Sequence, residues 1–237
     1  MTNRTSLLGA FLFGCGIAMG CAAQQPATDH DHVAPAARVV DLRRLQPVSG
    51  DAVAGAGKVK VCVACHGAQG VAIVPEFPNL AGQSATYLYV QLKEFYSDQR
   101  IGMVMNGQVA ALSDADMRDV ASYYAALAPK PAGRVDAASR GAQLYLAGDP
   151  AKGIPPCQGC HGPDGAGPRP HWSSAPQPPW AAFPHLRGQS SQYLAHELHD
   201  FRIGTRAGSS NAKVMQGVAA TLDDDDVQAL SAYLEAL

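Results

Sequence analysis

The chain contains the stretch Cys62-Val63-Ala64-Cys65-His66-Gly67, and the same pattern returns as Cys157-Gln158-Gly159-Cys160-His161-Gly162. Two cysteines separated by two residues and followed directly by histidine form the attachment pattern of c-type haem. On one helical turn the two thiols face the same side, so both can bond to the vinyl groups of one porphyrin. The histidine then lies beneath the iron as its proximal ligand. The pattern therefore predicts two covalently attached haem c groups, each bound by a cysteine pair and a histidine.

Paired cysteines also occur in zinc sites and in redox-active dithiols. A four-cysteine zinc ribbon separates its pairs by about 15 to 20 residues, whereas the two pairs of this chain lie in separate halves. A thioredoxin-like dithiol requires a βαβ pattern, and the sequence shows almost no strands. The two motifs use all four cysteines of the mature domains. None is left for a disulfide framework.

The motifs belong to an internal duplication. Residues 77–84 match residues 183–190, and residues 112–127 match residues 222–237 in the same order. Each half also contains four apolar and aromatic residues whose spacing places them on one helical face, at equivalent positions in the two halves. They are Tyr87, Leu88, Leu92 and Phe95 in the first half, and Tyr193, Leu194, Leu198 and Phe201 in the second. The sequence thus predicts an all-α protein of two tandem domains, each a few helices around one haem.

Local signals place some of the helices. Ser113 with Asp116, and Asp223 with Asp226, have the spacing of an N-cap and the third helical residue at the start of the last helix of each half. Near the start of the second half, Gly141 lies four residues before Tyr145. A glycine there predicts a close helix crossing, with Tyr233 on the terminal helix as the partner.

The duplication and the composition divide the chain into five expected segments. They are a signal peptide at residues 1–23, a flexible tether at 24–50, a first domain at 51–128, a linker at 129–135 and a second domain at 136–237. Residues 168–180, rich in proline and serine, predict a surface loop. The formal net charge of -2 offers no basic field for phosphates. Nucleic acid is therefore not an expected partner.

The N-terminal segment predicts export. Arg4 precedes an apolar stretch that ends at Met19 and is shorter and richer in glycine than a membrane-spanning helix. The residues before Cys21 resemble a bacterial lipobox but lack its usual leucine. Two outcomes stay open: a lipid on Cys21 that anchors the protein to a membrane, or ordinary cleavage after Ala23.

The sixth iron ligand distinguishes an electron carrier from a protein that binds or activates small molecules. Met105 and Met215 occupy equivalent places two residues before a glycine, so we expect both to be distal ligands. Met103 is an alternative to Met105. Met117 is expected in the core, because its counterpart is Val227. Other histidines lack a counterpart in the first half and are not expected to bind iron: His171, His185, His196 and His199.

A hydrogen bond to a proline carbonyl is expected at each motif histidine. Pro78 and Pro184 follow the two motifs at matching positions. A proline keeps its carbonyl oxygen while losing its N–H donor. The carbonyl could therefore accept a hydrogen bond from the proximal imidazole.

Taken together, the two motifs, the repeated Phe-Pro-x-Leu-x-Gly-Gln block, the Met-x-Gly pairs and the capped last helices resemble the diheme cytochrome c4 family over residues 51–237. The resemblance implies two class I cytochrome c domains with haems near their interface. It carries His66 and His161 over as proximal ligands, and Met105 and Met215 as distal ones. It also implies electron transfer toward a terminal oxidase in the periplasm.

The expected function is therefore that of an electron carrier and not of an enzyme. It would pass single electrons from a quinol-oxidising complex toward a terminal oxidase in the periplasm, as a soluble or lipid-anchored protein. An alternative is a cytochrome subunit of a periplasmic dehydrogenase, which differs in partner but not in iron ligation. A diheme peroxidase is a third hypothesis, and it would require an iron with an open sixth position.

Overall fold

The computed structural model describes residues 39–43, 45–102, 104–168 and 182–237. They belong to a single compact unit that contains both halves of the duplication. The expected signal peptide, the tether before Val39, Met103, His171 and most of the predicted loop lie outside the described residues. No helix within the described ranges is long and apolar enough to cross a membrane.

Ten α-helices and two isolated bridges account for the regular structure of the described residues, which confirms the all-α prediction. The first half contains α1 (Ala52–Ala56), α2 (Val63–His66), α3 (Ala85–Tyr96), α4 (Met105–Val109) and α5 (Asp114–Ala126). The second half repeats them as α6 (Arg140–Ala147), α7 (Gln158–His161), α8 (Ser191–Ile203), α9 (Ser210–Ala219) and α10 (Asp224–Ala236).

The start signals of the terminal helices act as predicted. Ser113 and Asp116 form a reciprocal capping box at the start of α5. The Asp223 carboxylate accepts a hydrogen bond from the Asp226 N–H, 2.8 Å away, at the start of α10. The Asp226 carboxylate is almost fully buried and binds the side chains of Arg140 and Lys152, which ties α10 to the beginning of its own half.

Each half buries its own apolar core. Met117 is 1% exposed in the first core and its counterpart Val227 is 6% exposed in the second, which confirms that Met117 is a packing residue. The predicted apolar faces of α3 and α8 are also confirmed, since both bury the equivalent leucine and phenylalanine. The residues are Leu88 and Phe95 on α3, and Leu194 and Phe201 on α8.

The helix crossing predicted at Gly141 is present. A Cβ atom at Gly141 would collide with the carbonyl oxygen of Ala229 and lie 2.6 Å from the Cβ of Tyr233. The Tyr145 and Tyr233 rings pack beside it with their centroids 5.6 Å apart. The first half repeats this crossing at Gly55, which meets α5 in the same way and was not predicted.

Replacing Gly141 with alanine should destabilise the protein by about 1–3 kcal/mol, because the added methyl group overpacks the crossing between α6 and α10. Denaturant unfolding of the variant and the parent protein measures the difference. Gly57→Ala is a matched control, since the nearest atom to its new Cβ would be 3.5 Å away. Equal stability of the two variants would contradict the close crossing.

The last part of the expected tether differs from the prediction of a flexible segment. Val40 N–H donates to the Gly208 carbonyl and the Ser210 N–H donates to the Val40 carbonyl, both at 2.8 Å. Leu42 is 5% exposed and packs into the core of the first half, and the Val48 N–H donates to Thr86 Oγ1 at 3.0 Å. We call residues 39–43 and 45–50 the N-terminal strap, because they contact both halves.

Val40→Pro should lower the free energy of unfolding by about 1–2 kcal/mol, because proline removes the N–H that donates to Gly208. Val40→Ala is the control, since it keeps both backbone hydrogen bonds and shortens only a residue that is 38% exposed. Thermal and denaturant unfolding of the two variants gives the comparison. A proline variant as stable as the alanine variant would show that the strap does not hold the halves.

Candidate functional site

The Cys-x-x-Cys-His motifs form the short helices α2 and α7. Cys62 and Cys157 are the N-cap residues, and the N–H of each histidine donates to the carbonyl of the first cysteine of its motif, at 2.9 and 3.0 Å. The glycine after each histidine has a positive φ, 77° at Gly67 and 80° at Gly162, which ends the helix where other residues would be strained. The structure thus brings both cysteines and the histidine of each motif onto one helical turn.

Both motif histidines are held by a proline carbonyl, as predicted. His66 Nδ1 lies 2.9 Å from the Pro78 oxygen, and His161 Nδ1 lies 3.0 Å from the Pro184 oxygen. A carbonyl oxygen only accepts, so Nδ1 carries the proton and Nε2 keeps its lone pair. This leaves Nε2 as the nitrogen that can bind a metal.

Both motif imidazoles are held in the neutral form, which favours metal binding. Burial lowers the pKa of His66 and of His161, against the hydrogen bond to the proline carbonyl, which raises it. The rings are only 5% and 6% exposed. A neutral imidazole is the form that binds iron.

The thiols of the motifs are not set up for dithiol chemistry. Burial raises the pKa of Cys62 and raises that of Cys157 to about 11. The thiolate is the reactive form of cysteine. The raised pKa of the first cysteine in each motif therefore argues against a redox-active pair, whereas both thiols on one face of a turn fit thioether attachment.

The two candidate distal methionines lie on different helices from the histidines. Met105 is the first residue of α4 and Met215 lies within α9, and both are partly buried. Met215 packs against a small apolar cluster of Phe201, Ala212 and Ala219. Their positions are equivalent in the two halves, and their role as iron ligands stays a prediction.

Asn106 fixes the loop that leads into Met105. Its side-chain amide donates to the carbonyls of Phe95 and Arg100, at 2.8 and 3.0 Å, and its Oδ1 accepts from the Gly102 N–H at 2.9 Å. In the sequence, Asn106 is only the residue between Met105 and Gly107. Its structural role depends on contacts with the preceding helix, which the pattern does not show.

Two glutamines connect the halves at the loops that carry Pro78 and Pro184, which we call the proximal loops. Gln189 Oε1 accepts from the Asn79 N–H at 2.8 Å, and Gln189 Nε2 donates to the Asn79 carbonyl at 3.0 Å. Gln83 makes the same two bonds to His185, at 2.7 and 2.8 Å. Asn79 and His185 directly follow the prolines that hold the histidines. Each half therefore fixes the proximal loop of the other, and only the repetition of these glutamines in the sequence signalled a role.

The histidines outside the motifs have other partners. His185 Nδ1 donates to the Gly82 carbonyl at 2.8 Å, across the contact between the halves. His196 is largely exposed and lies 3.5 Å from Asp200. His199 Nδ1 lies 3.4 Å from an Arg202 nitrogen.

The residues present fit haem by the chemistry of their donor set. Each half offers two thiols and one imidazole whose Nε2 keeps its lone pair, in the order that c-type attachment needs. Between the halves, Arg206 Nε is buried and has no hydrogen-bond partner among the described residues. An unsatisfied buried guanidinium nitrogen fits the propionate carboxylates that haem carries.

Tandem all-α domains, each with a Cys-x-x-Cys-His turn and a neutral imidazole held by a backbone carbonyl, define a c-type cytochrome with two haem sites. The cytochrome c family model matches residues 52–128 and 138–237. Cytochrome c4 of Pseudomonas aeruginosa is 40% identical over 198 residues, which cover 83% of this chain and 93% of the relative. The chain therefore belongs to the cytochrome c family, among the diheme cytochromes c4.

A solved structure and a further relative agree with this membership. The crystal structure of reduced recombinant cytochrome c4 from Pseudomonas stutzeri superposes with a TM-score of 0.71 at 38% identity, covering 80% of this chain and all of that one. A thiosulfate dehydrogenase electron acceptor of Stutzerimonas stutzeri is 41% identical over 178 residues, 73% of this chain and 76% of the relative. As a family member the chain carries two covalently bound haem c groups and transfers electrons, and it is not an enzyme.

Proposed function

We propose that the chain is an exported periplasmic cytochrome that passes single electrons between redox proteins, with its ligands assigned as follows. Cys62 and Cys65 attach the first haem and Cys157 and Cys160 attach the second, with His66 and Met105, and His161 and Met215, as the axial ligand pairs. The observation that carries the proposal is the hydrogen bond from Nδ1 of each histidine to a proline carbonyl, repeated in both halves.

The chain's own residues prepare each site for electron transfer. Bound haem iron supplies a one-electron couple between its ferric and ferrous states. The carbonyls of Pro78 and Pro184 orient the imidazoles and increase their basicity as ligands. The reciprocal bonds of Gln83 and Gln189 keep the proximal loops in place. A site whose histidine and proximal loop are both fixed by hydrogen bonds rearranges little when the charge of the iron changes.

The domains and the N-terminus belong to the same proposal. Residues 1–23 would be removed as a signal peptide, and residues 51–128 and 136–237 would form the two domains on either side of a linker at 129–135. A lipid on Cys21 would anchor the protein to a membrane. Mass analysis of the mature N-terminus distinguishes a lipidated Cys21 from cleavage after Ala23.

The proposed electron route runs from a quinol-oxidising complex to a terminal oxidase. A second candidate is a cytochrome subunit of a periplasmic dehydrogenase. The similarity to a thiosulfate dehydrogenase electron acceptor favours this candidate. Stopped-flow mixing of the oxidised holoprotein with each electron donor, and of the reduced holoprotein with the oxidase, separates them. Rapid reduction by the quinol-oxidising complex and rapid oxidation by the oxidase support the first route, whereas fast reduction by the dehydrogenase alone supports the second.

Haem attachment and ligation are tested on the purified protein from a host that matures c-type cytochromes. Intact mass should show two added haem groups, and the oxidised protein should show the methionine-to-iron charge-transfer band. A bare polypeptide mass would end the proposal. Rapid binding of cyanide or turnover of peroxide would favour a peroxidase.

A further inference from the structure

A buried cluster of charged and polar side chains joins α3 and the loop after it to α8 and the loop after it. We call it the interface charge cluster. Its members come in equivalent pairs from the two halves: Tyr87 and Tyr193, Gln91 and Glu197, Arg100 and Arg206. The two arginines and the glutamate are each only 7% to 8% exposed.

The contacts of this cluster cross between the halves. Glu197 binds both arginines, with Arg206 Nη1 at 2.5 Å and Arg100 through its Nη2. Gln91 Oε1 accepts from Arg100 and from Arg206, both at 2.7 Å. The duplication is therefore symmetric here except at one position, where the first half has an amide and the second half a carboxylate.

This difference sets the charge of the cluster. Burial by itself would raise the pKa of Glu197, but Arg100 and Arg206 lower it to about 2, so Glu197 is ionised at neutral pH. Two guanidinium groups then face one carboxylate. Counted over its own side chains, and without the propionates that Arg206 could also meet, the cluster carries one excess positive charge, which water and salt screen weakly inside the protein.

Direct contacts connect the cluster with both candidate distal sites. The Arg206 guanidinium lies 4.4 Å from the centroid of the Phe201 ring, and Phe201 belongs to the apolar cluster that packs against Met215. The Arg100 guanidinium lies 4.6 Å from the Phe95 ring centroid, and the Arg100 carbonyl accepts from Asn106, the residue after Met105. In each half a single residue, Phe201 or Asn106, lies between an arginine of the cluster and a candidate methionine ligand.

We propose that the number of carboxylates in the interface charge cluster, one from Glu197 and none from position 91, sets the reduction potentials of the two haem irons. The proposal rests on the proposed ligation of haem. Each iron takes up one electron from a redox partner and no bond in the protein forms or breaks. Positive charge held in a medium of low polarity favours the ferrous state, so a carboxylate added here lowers the potential and a carboxylate removed raises it.

The deciding experiment is a spectroelectrochemical titration of the holoprotein carrying Gln91→Glu. A glutamate there keeps an oxygen acceptor for both arginines and makes the cluster neutral, so we expect a downward shift of both midpoint potentials. Gln143→Glu is the matched control, because it makes the same chemical change at an exposed position. The control should move neither potential appreciably, and the shift of the first variant should persist at high salt.

Two further variants complete the test. Glu197→Gln should raise the potentials, and the double variant Gln91→Glu with Glu197→Gln should bring their sum back toward the parent value, since it only moves the carboxylate to the other half. If Glu197→Gln does not fold, Gln91→Glu and the double variant decide. A folded Gln91→Glu protein with two haems, the methionine band and unchanged potentials would overturn this proposal alone, whereas missing haem or a missing band would overturn the proposed ligation.

Discussion

A variant in which Cys157 and Cys160 are both serine should carry one covalently bound haem, where the parent protein carries two. Serine hydroxyls do not form thioether bonds, so the second site loses its covalent hold on the porphyrin. The first half keeps its own cysteine pair and should still attach haem. Intact mass and the haem absorbance per polypeptide measure the change.

The loss of this haem should also unfold most of the second half. Its buried apolar residues form two separate clusters, one around Tyr145 and Leu230 and a small one around Phe201. A domain of about 100 residues has a small core, and one that is built around a buried macrocycle should lose most of its stability without it. Circular dichroism should show lost helix and a lower melting temperature. Cys160→Ser alone is the control, because one thioether remains.

Two attached haems in the double serine variant would contradict the assignment of these cysteines. The mirrored variant of Cys62 and Cys65 tests the first half independently. A single haem in each double variant would show that the two halves attach their haems separately.

Met215→His should lower the midpoint potential of one haem on the order of 0.1 V or more, out of the roughly 0.8 V that axial ligation spans. A methionine thioether favours the reduced iron, whereas a second imidazole stabilises the oxidised iron. The same haem should lose its methionine-to-iron charge-transfer band. Met105→His should act in the same way on the other haem. Redox titration followed by absorbance records both effects.

The matched control is Met117→Leu, because Met117 is 1% exposed in the core of the first half. It should cost less than about 1.5 kcal/mol of stability and leave both potentials unchanged. Met103→Leu decides between Met103 and Met105, since only loss of the true ligand removes a band. If neither histidine substitution lowers a potential, the distal assignment is wrong.

The features that could be predicted are those that depend on residues of one half alone. The Cys-x-x-Cys-His spacing encodes a helical turn, and Pro78 and Pro184 stand at a fixed distance after it. The pairing of Met117 with Val227 separated a packing methionine from the candidate ligands. Such signals depend on local geometry and on the comparison of equivalent positions, both of which are present in the sequence.

The contacts between the halves could not be predicted. Arg100, Glu197 and Arg206 are charged residues, which usually lie in solvent, and their burial depends on how α3 meets α8. The N-terminal strap has the same origin: its few apolar residues, such as Leu42, are too sparse to show a period. Leu42 is buried only because it packs into the folded core of the first half.

The exchange of hydrogen bonds between Gln83 and Gln189 has a consequence for the history and the engineering of such duplicated chains. Each copy fixes the backbone of the residue that follows the other copy's proline, so neither copy is structurally independent. A chimera that replaces one copy with another cytochrome domain needs a glutamine at the equivalent position. Without it, the proximal loop of the unchanged copy loses its two hydrogen bonds.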